Sequence, residues 1–290
     1  MDITMNKIDV AIFSCAEYRH LVPACVESIK KFVKDSIGSI FVVSNAEINY
    51  HDTDLVLDHV LWNQIDPNFE HTTLYKSNWV KQQILKLNID KISKNPCLVV
   101  DAEVVFLQPM SWIDQGQVKI FTGEGVQYKP YFDLINDLLG LQRQTTQSFI
   151  TDAMVFEPCV LERLRHHASL EKPWLSALTE MLNTSKYQLS EFETYATFVG
   201  HNYTDRYQTH ALGQHVVDMP DRSLQDLDTM IEYLRTVVTG PYVSANIIEK
   251  SYDAAQTNWI TFYTMIKDKS WPDCFNEDDF VKLPNKIQKE

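Results

Sequence analysis

A chain of 290 residues with 44% hydrophobic, 22% charged and 11% aromatic side chains can bury one large core, or one core with a small subdomain, and lies far from the composition of a disordered protein. Its 39 acids against 26 bases leave a formal charge of -13, which repels a phosphate backbone over most of the surface and argues against nucleic-acid binding outside a local basic groove. No apolar run approaches the roughly 18 residues of a membrane helix, MDITMNKIDV lacks the regions of a signal peptide, and the five scattered cysteines never form a C-x-x-C pair, so the expectation is a cytoplasmic protein with no transmembrane segment, disulfide framework or zinc site.

In chain order, IDVAIFSCA (8–16) is a short apolar run of strand type, and EYRHLVPACVESIKKFV (17–33) repeats Leu21, Cys25, Ile29 and Phe32 at helical spacing after a proline suited to a first turn. SIFVVSNAE (39–47) reads as a second buried strand and DLVLDHVLW (54–62) as a weaker third. In SNWVKQQILKLNID (77–90), Val80, Ile84 and Leu87 line one helical face, while Trp79, Gln82, Gln83 and Lys86 line another that is polar yet carries a tryptophan. CLVVDAEVVFL (97–107), VKIFTGEG (118–125) and SFITDAMVFEP (148–158) read as further strands, VLERLRHHASL (160–170) and SEFETYATFVGHNY (190–203) as helices. LQDLDTMIEYLRTVV (224–238) and AAQTNWITFYTMIKD (254–268) are predicted helices clasping the sheet, and the tail after Trp271 is polar. Strands alternating with helices predict βαβ units and a mostly parallel sheet.

Asp101 and Glu103 stand out because they sit inside an otherwise buried strand. Alternation sends both side chains to one face, with Val100, Ala102 and Val104 on the other. Two carboxylates so close repel, and one takes up a proton unless a cation binds or both reach solvent at the strand end. Hard divalent ions such as Mg²⁺ and Mn²⁺ prefer carboxylate oxygen and keep positions open for phosphate. The bland alternative is a pair of acids capping an exposed loop. Apolar runs on both sides favour the carboxyl edge of a sheet, where open α/β folds place their ligands.

Four segments, NWVKQQILKL (78–87), LVVDAEVVFLQP (98–109), SFITDAMVF (148–156) and SEFETYATFV (190–199), resemble in order and spacing a family of bacterial and viral proteins classed as glycosyltransferases of the GT-A fold, most of them without an assigned substrate. The resemblance spans roughly residues 8–205. It implies a GT-A-like, Rossmann-like α/β fold with a mixed, mostly parallel central sheet flanked by helices and a helical C-terminal region. Residues 1–215 would form the nucleotide-sugar-binding catalytic core, with 216–290 a helical extension packed on it as one continuous domain.

The resemblance further implies that Asp101 contacts the ribose or a metal-bound water. Glu103 stands where the family carries an aspartate that ligates the metal; it departs from the pattern by one methylene, an extension of roughly 1.5 Å. Ser14, Glu17 and Arg19 would lie beside the nucleotide. Gln83 and Lys86 belong to the helix leading to the acids, and a lysine suits phosphate as a point charge; the competing reading is a solvated lysine on an amphipathic helix. Trp79 reads as core rather than as a sugar platform. Glu191 is the first candidate for general base or oxocarbenium-stabilising group, with Glu193 second because Ser190 and Glu193 already fit a capping box. Asp152 would sit near sugar or acceptor, or be a turn former at a strand end. His201 is preferred over His210 and His215 as third metal ligand, and His166 and His167 read as solvated.

Together these imply a metal-dependent glycosyltransferase of the hexosyl-transferring kind, using Mn²⁺ or Mg²⁺, a UDP- or GDP-sugar and a glycan or glycolipid acceptor. Two other classes stand beside it. A nucleotidyltransferase would carry a glycine-rich first loop, and FSCAEYRHL (13–21) has no glycine. A catalytically degenerate domain that binds sugar or a partner is made conceivable by the glutamate at 103.

Overall fold

The computed structural model describes residues 7–14, 21–45, 58–65, 78–123, 128–169, 172–213, 216–219, 231–232, 234–236, 238 and 240–247. β1 (Ile8–Phe13) is buried along its whole length and is followed by α1 (Val22–Phe32), in which Pro23 sits in the first turn, where a missing N–H costs nothing. Val22, Cys25, Val26, Ile29 and Phe32 form the buried stripe of that helix. β2 (Ile37–Ser44), β3 (Asp58–Leu61), the single-turn α2 (Trp62–Ile65), α3 (Asn78–Lys86), a 3-10 turn at Ile89–Lys91 and β4 (Cys97–Asp101) come next. Then follow β5 (Val104–Phe106), β6 (Ile113–Asp114), β7 (Gln117–Gly123), α4 (Lys129–Leu139), β8 (Ala153–Phe156), α5 (Pro158–His167), α6 (Trp174–Leu182) and α7 (Glu191–Asn202). The last described elements are β9 (Tyr207–Gly213), β10 (Val216–Met219) and β11 (Tyr242–Ile247).

Five strands form the central sheet in the order β3-β2-β1-β4-β8. β1 to β4 are parallel, and β8 joins antiparallel at the edge of β4. Val10, Ala11 and Ile12 in β1 and Leu98, Val99 and Val100 in β4 are wholly buried, as the unbroken apolar runs of a doubly covered parallel sheet require. The mixed, mostly parallel sheet flanked by helices expected from the sequence is thus the observed architecture. From β1 the chain winds outward to β2 and β3, and β4 then adds on the other side of β1. The carboxyl ends of β1 and β4 therefore flank the point where winding reverses, the place where such sheets form a ligand crevice. Two three-stranded sheets, β10-β11-β5 and β6-β7-β9, complete the described strands.

Several expectations need correction. CLVVDAEVVFL is two strands in two sheets: the ladder of β1 ends at Phe13, opposite Asp101, the chain turns at residues 102–103, and β5 pairs with β11 instead. No glycine or proline marks that break, because both halves are apolar and each finds its own partner strand. SFITDAMVFEP is a strand only from Ala153 to Phe156, with a loop before it. The segment after residue 215 is not purely helical. Residues 231–232 and 234–236 are helical, but β10 and β11 flank them, and β11 is held by backbone pairing with β5. The predicted helix at 254–268 lies outside the described residues. α4 and α6 were not anticipated; α4 stops where Gly140 adopts φ 65°, a left-handed cap open to glycine at no steric cost.

Candidate active site

The site is built at the carboxyl edge of β1 and β4. Phe13 pairs with Asp101, and the Ala102 N–H donates to the Phe13 carbonyl at 3.1 Å, so Ser14, itself buried, and Asp101 emerge side by side. Asp152 arrives on the loop that leads into the neighbouring strand β8. Its carbonyl accepts the Asp101 N–H at 2.9 Å, and its own φ of 59° swings the loop into β8. A left-handed conformation is uncommon outside glycine, and aspartate is among the residues that tolerate it.

Two helices close the edge. The α7 N-terminus is capped by Ser190, whose hydroxyl accepts the Glu193 N–H, so that Glu191 opens the helix where the dipole favours a carboxylate. On α3, Trp79, Gln83 and Lys86 share a face at i, i+4, i+7. Contrary to the solvated reading, Lys86 is 1% exposed. Its Nζ lies 2.6 Å from Asp101 Oδ1 and 2.6 Å from Glu191 Oε1, hydrogen-bonding the latter. The ammonium also lies 4.7 Å from the centroid of Phe192 and 5.7 Å from that of Phe13, apolar walls that leave it few partners besides the two acids. Gln83 Oε1 accepts the Glu191 backbone N–H at 3.3 Å. Trp79 is half-buried against Tyr131, ring centroids 6.5 Å apart.

The electrostatics follow from this crowding. Burial pushes the Asp101 carboxyl well above the usual carboxylate range; Lys86 opposes that rise, while Glu103, Asp152 and Glu191 add to it. Glu103 is pushed up to about 7, first by burial and then by the charge of Asp152. Glu191 is likewise raised by burial against the pull of Lys86. For Lys86 burial works downward, but Asp101 and Glu191 outweigh it and leave the ammonium above the ordinary lysine value. The buried Cys25 thiol is driven up by burial and then by Glu103 and Asp101. One ammonium therefore serves two carboxylates in contact, Asp101 and Glu191, while Glu103 and Asp152 add their negative charge to the same edge.

Asp101, Glu103, Asp152, Glu191, Lys86, Gln83 and Ser14 are thus brought to one edge. Glu103 reaches it from a turn, not from a strand face as alternation predicted. Glu193 is buried and makes half of the expected capping box: its N–H meets Ser190, but its carboxylate turns away to Ser148 and Phe149. His201 does not join the site. It is exposed at the far end of α7, about 15 Å from Glu191 by helical rise, with Nε2 2.6 Å from the Gln142 carbonyl and Nδ1 3.2 Å from Gln144. His210 lies on β9 beside the ring of Phe121. His167 is half-buried, its Nε2 2.8 Å from the Leu139 carbonyl, rather than solvated. Glu17, Arg19 and His215 lie outside the described residues. Among the described residues no three His, Cys, Asp or Glu side chains converge closely enough to cage a metal, and no helix is long and apolar enough to cross a membrane.

Sequence reasoning passed over Phe13, Phe192 and Tyr131, the aromatic lining of the site. Tyr131 packs against Trp79 and Tyr128, and its phenol is driven up by burial, then by Tyr128, Glu191 and Glu193. Phe13 and Phe192 were marked only by standing next to Ser14 and Glu191, and Tyr131 by nothing, since its contact with Trp79 joins segments distant in the sequence.

Residues 21–233 match DUF6492, a family of unknown function. The chain belongs to that family. No curated protein matches the sequence. Among solved structures, mouse xyloside xylosyltransferase 1 in its apo form is similar at 10% identity, covering 82% of this chain and 97% of that one, with a TM-score of 0.43. The WbbM bifunctional glycosyltransferase, also apo, is similar at 11% identity, covering 87% of this chain and 47% of that one, with a TM-score of 0.44. Likeness of that degree decides neither chemistry nor substrate for a DUF6492 member, so both must be argued from the carboxylate cluster.

Proposed function

We propose that the chain is a GT-A-type glycosyltransferase that moves a hexose from a UDP- or GDP-sugar to a hydroxyl of a glycan or glycolipid precursor. The observation that carries this reading is the excess of acids at the winding switch point: Asp101 and Glu191 share the single Lys86 ammonium at 2.6 Å each, and Glu103 and Asp152 crowd the same edge, with Glu103 driven up to about 7. A bound divalent cation is the economical way to offset such an excess at neutral pH. The donor set is carboxylate oxygen, which fits Mn²⁺ or Mg²⁺; Asp101 and Glu103 are the residues that would hold it. Two carboxylates suffice for an ion whose other positions belong to diphosphate oxygens and water. When bound, the ion supplies Lewis-acid neutralisation of charge on the leaving diphosphate.

The chain's own residues do the rest. Lys86 fixes Asp101 and Glu191 in place, so Glu191 acts as an anchor for that ammonium. Asp152, half-buried and held by its backbone against β4, is the carboxylate available to an acceptor. It would take the proton of the acceptor hydroxyl or, if configuration is retained, stabilise the oxocarbenium-like centre. Ser14 lines the nucleotide side. A screen of nucleotide sugars for Mn²⁺-dependent hydrolysis tests the reading: wild type should turn over at least one donor, and Glu103→Gln should abolish it. Undiminished hydrolysis by Glu103→Gln would remove the metal role.

Lys86 also favours a second reading. An ammonium already 2.6 Å from Asp101 balances that acid internally, as in a domain that retains sugar or partner binding without turnover. Sugar binding that needs neither metal nor nucleotide would select it.

A further inference from the structure

We propose that Glu193 is a positioning residue, which sets Asp152 against β4 by gripping the loop at residues 148–152, and not a group that touches substrate; the meaning of this for catalysis rests on the function proposed above. Glu193 follows Glu191 by two residues, about 200° around the helix, and is fully buried, so its carboxylate points away from the ammonium that Glu191 binds. Its Oε1 accepts two hydrogen bonds, from the Ser148 hydroxyl at 2.8 Å and the Phe149 N–H at 3.0 Å. Ser148 Oγ in turn accepts the Ile150 N–H at 3.1 Å, and the Ser148 backbone exchanges both hydrogen bonds with Gly123 at the end of β7. The start of the loop is thereby clamped between α7 and β7.

Four residues later the same loop delivers Asp152 in its left-handed conformation, its carbonyl on the Asp101 N–H. Strain of this kind persists only where the surroundings over-determine it. The Thr151 hydroxyl, donating to the Ala153 carbonyl, finishes the turn. A carboxylate that served only the helix would reach back to the Ser190 N–H. Glu193 turns its Oε1 to a loop from a different part of the chain instead, and removing that acceptor would leave two buried donors unsatisfied.

The test separates an accepting oxygen from a reacting acid. Glu193→Gln keeps an oxygen that can accept both hydrogen bonds; Glu193→Met removes it at similar volume. In the full chain without ligand, amide exchange at Phe149 and Asp101 should speed up at least tenfold in Glu193→Met and stay within threefold of wild type in Glu193→Gln, with Val99 in the interior of β4 unchanged in both. Should Glu193→Met fail to fold, Ser148→Ala, which removes one donor and the acceptor for Ile150, should raise exchange at the same amides several-fold. With a donor in hand, Glu193→Met should lower kcat tenfold or more at nearly constant KM, and Glu193→Gln should recover most of it. The proposal is overturned if the Asp101 amide ignores both the methionine and alanine variants, or if Glu193→Gln damages kcat as deeply as Glu193→Met. Absence of any glycosyl transfer by wild type would count against the proposed function alone, since the exchange measurement still decides the positioning.

Discussion

Glu103→Gln should stabilise the metal-free protein, an unusual outcome for a substitution at a candidate metal ligand and one that follows from the charge balance. A carboxyl whose value is raised from 4.5 to about 7 on folding binds protons more tightly in the native state. Its contribution is complete below 4.5, declines as pH rises through the folded value, and stays lost above it. The loss at pH 8 is at most about 3 kcal/mol, from 1.36 kcal/mol for each tenfold change in proton affinity. Glutamine carries no charge at any pH, so the variant escapes the decline. Urea unfolding of both proteins in EDTA should therefore show no difference near pH 4.5 and a gain for the variant of about 1 to 3 kcal/mol at pH 8. Even the lower figure corresponds to roughly 2 °C in melting temperature for a chain of this size. A variant less stable than wild type at pH 8, or a difference that does not grow with pH, would refute the claim that Glu103 carries uncompensated charge.

Lys86→Met strips the counterion from the buried Glu191 and the half-buried Asp101 and should cost about 3 kcal/mol by denaturant unfolding, the lower side of the usual range because Asp101 keeps some solvent; combining it with Glu191→Gln should return part of that loss, and strict additivity would contradict the pairing seen at 2.6 Å. Arg206→Met breaks the forked contact to Glu157, which is 1% exposed, and should cost about 2 kcal/mol, the lower side of the usual range because Arg206 is itself 31% exposed. Nucleotide binding should be unaffected in that variant, since the pair lies away from the carboxylate cluster; a loss of binding with stability intact would be the contrary result. Gly140→Ala meets no atom within 4 Å of its new Cβ, so its cost by thermal unfolding should be the backbone strain alone, about 1 kcal/mol.

What could be read in the sequence were the features governed by local periodicity. The apolar runs of β1, β2 and β4 and the face spacing of α1 and α3 pointed to those elements and to the parallel sheet, and Ser190 announced the start of α7. What could not be read depended on distant partners. The break between β4 and β5 is decided by where β1 ends and by β11, a strand some 140 residues later, and nothing at residues 102–103 signals it. The choice for Lys86 between solvent and core is decided by Asp101 and Glu191, which the α3 sequence cannot reveal. Glu193 fits a capping box by spacing, and only the presence of Ser148 and Phe149 explains why its carboxylate leaves the helix. His201 failed for the opposite reason: nearness in sequence to Glu191 becomes a whole helix length in space.

The central claim is that the charge gathered at Asp101 and Glu103 is balanced by a divalent ion shared with a nucleoside diphosphate. Calorimetric titration of the full chain with UDP and with GDP, each with Mn²⁺ and with EDTA, tests it most directly. One of the two should bind with Mn²⁺ present and lose at least tenfold in affinity without it, and Glu103→Gln should behave like wild type in EDTA. Binding of neither nucleotide with Mn²⁺, or equal affinity with and without it, would contradict the account.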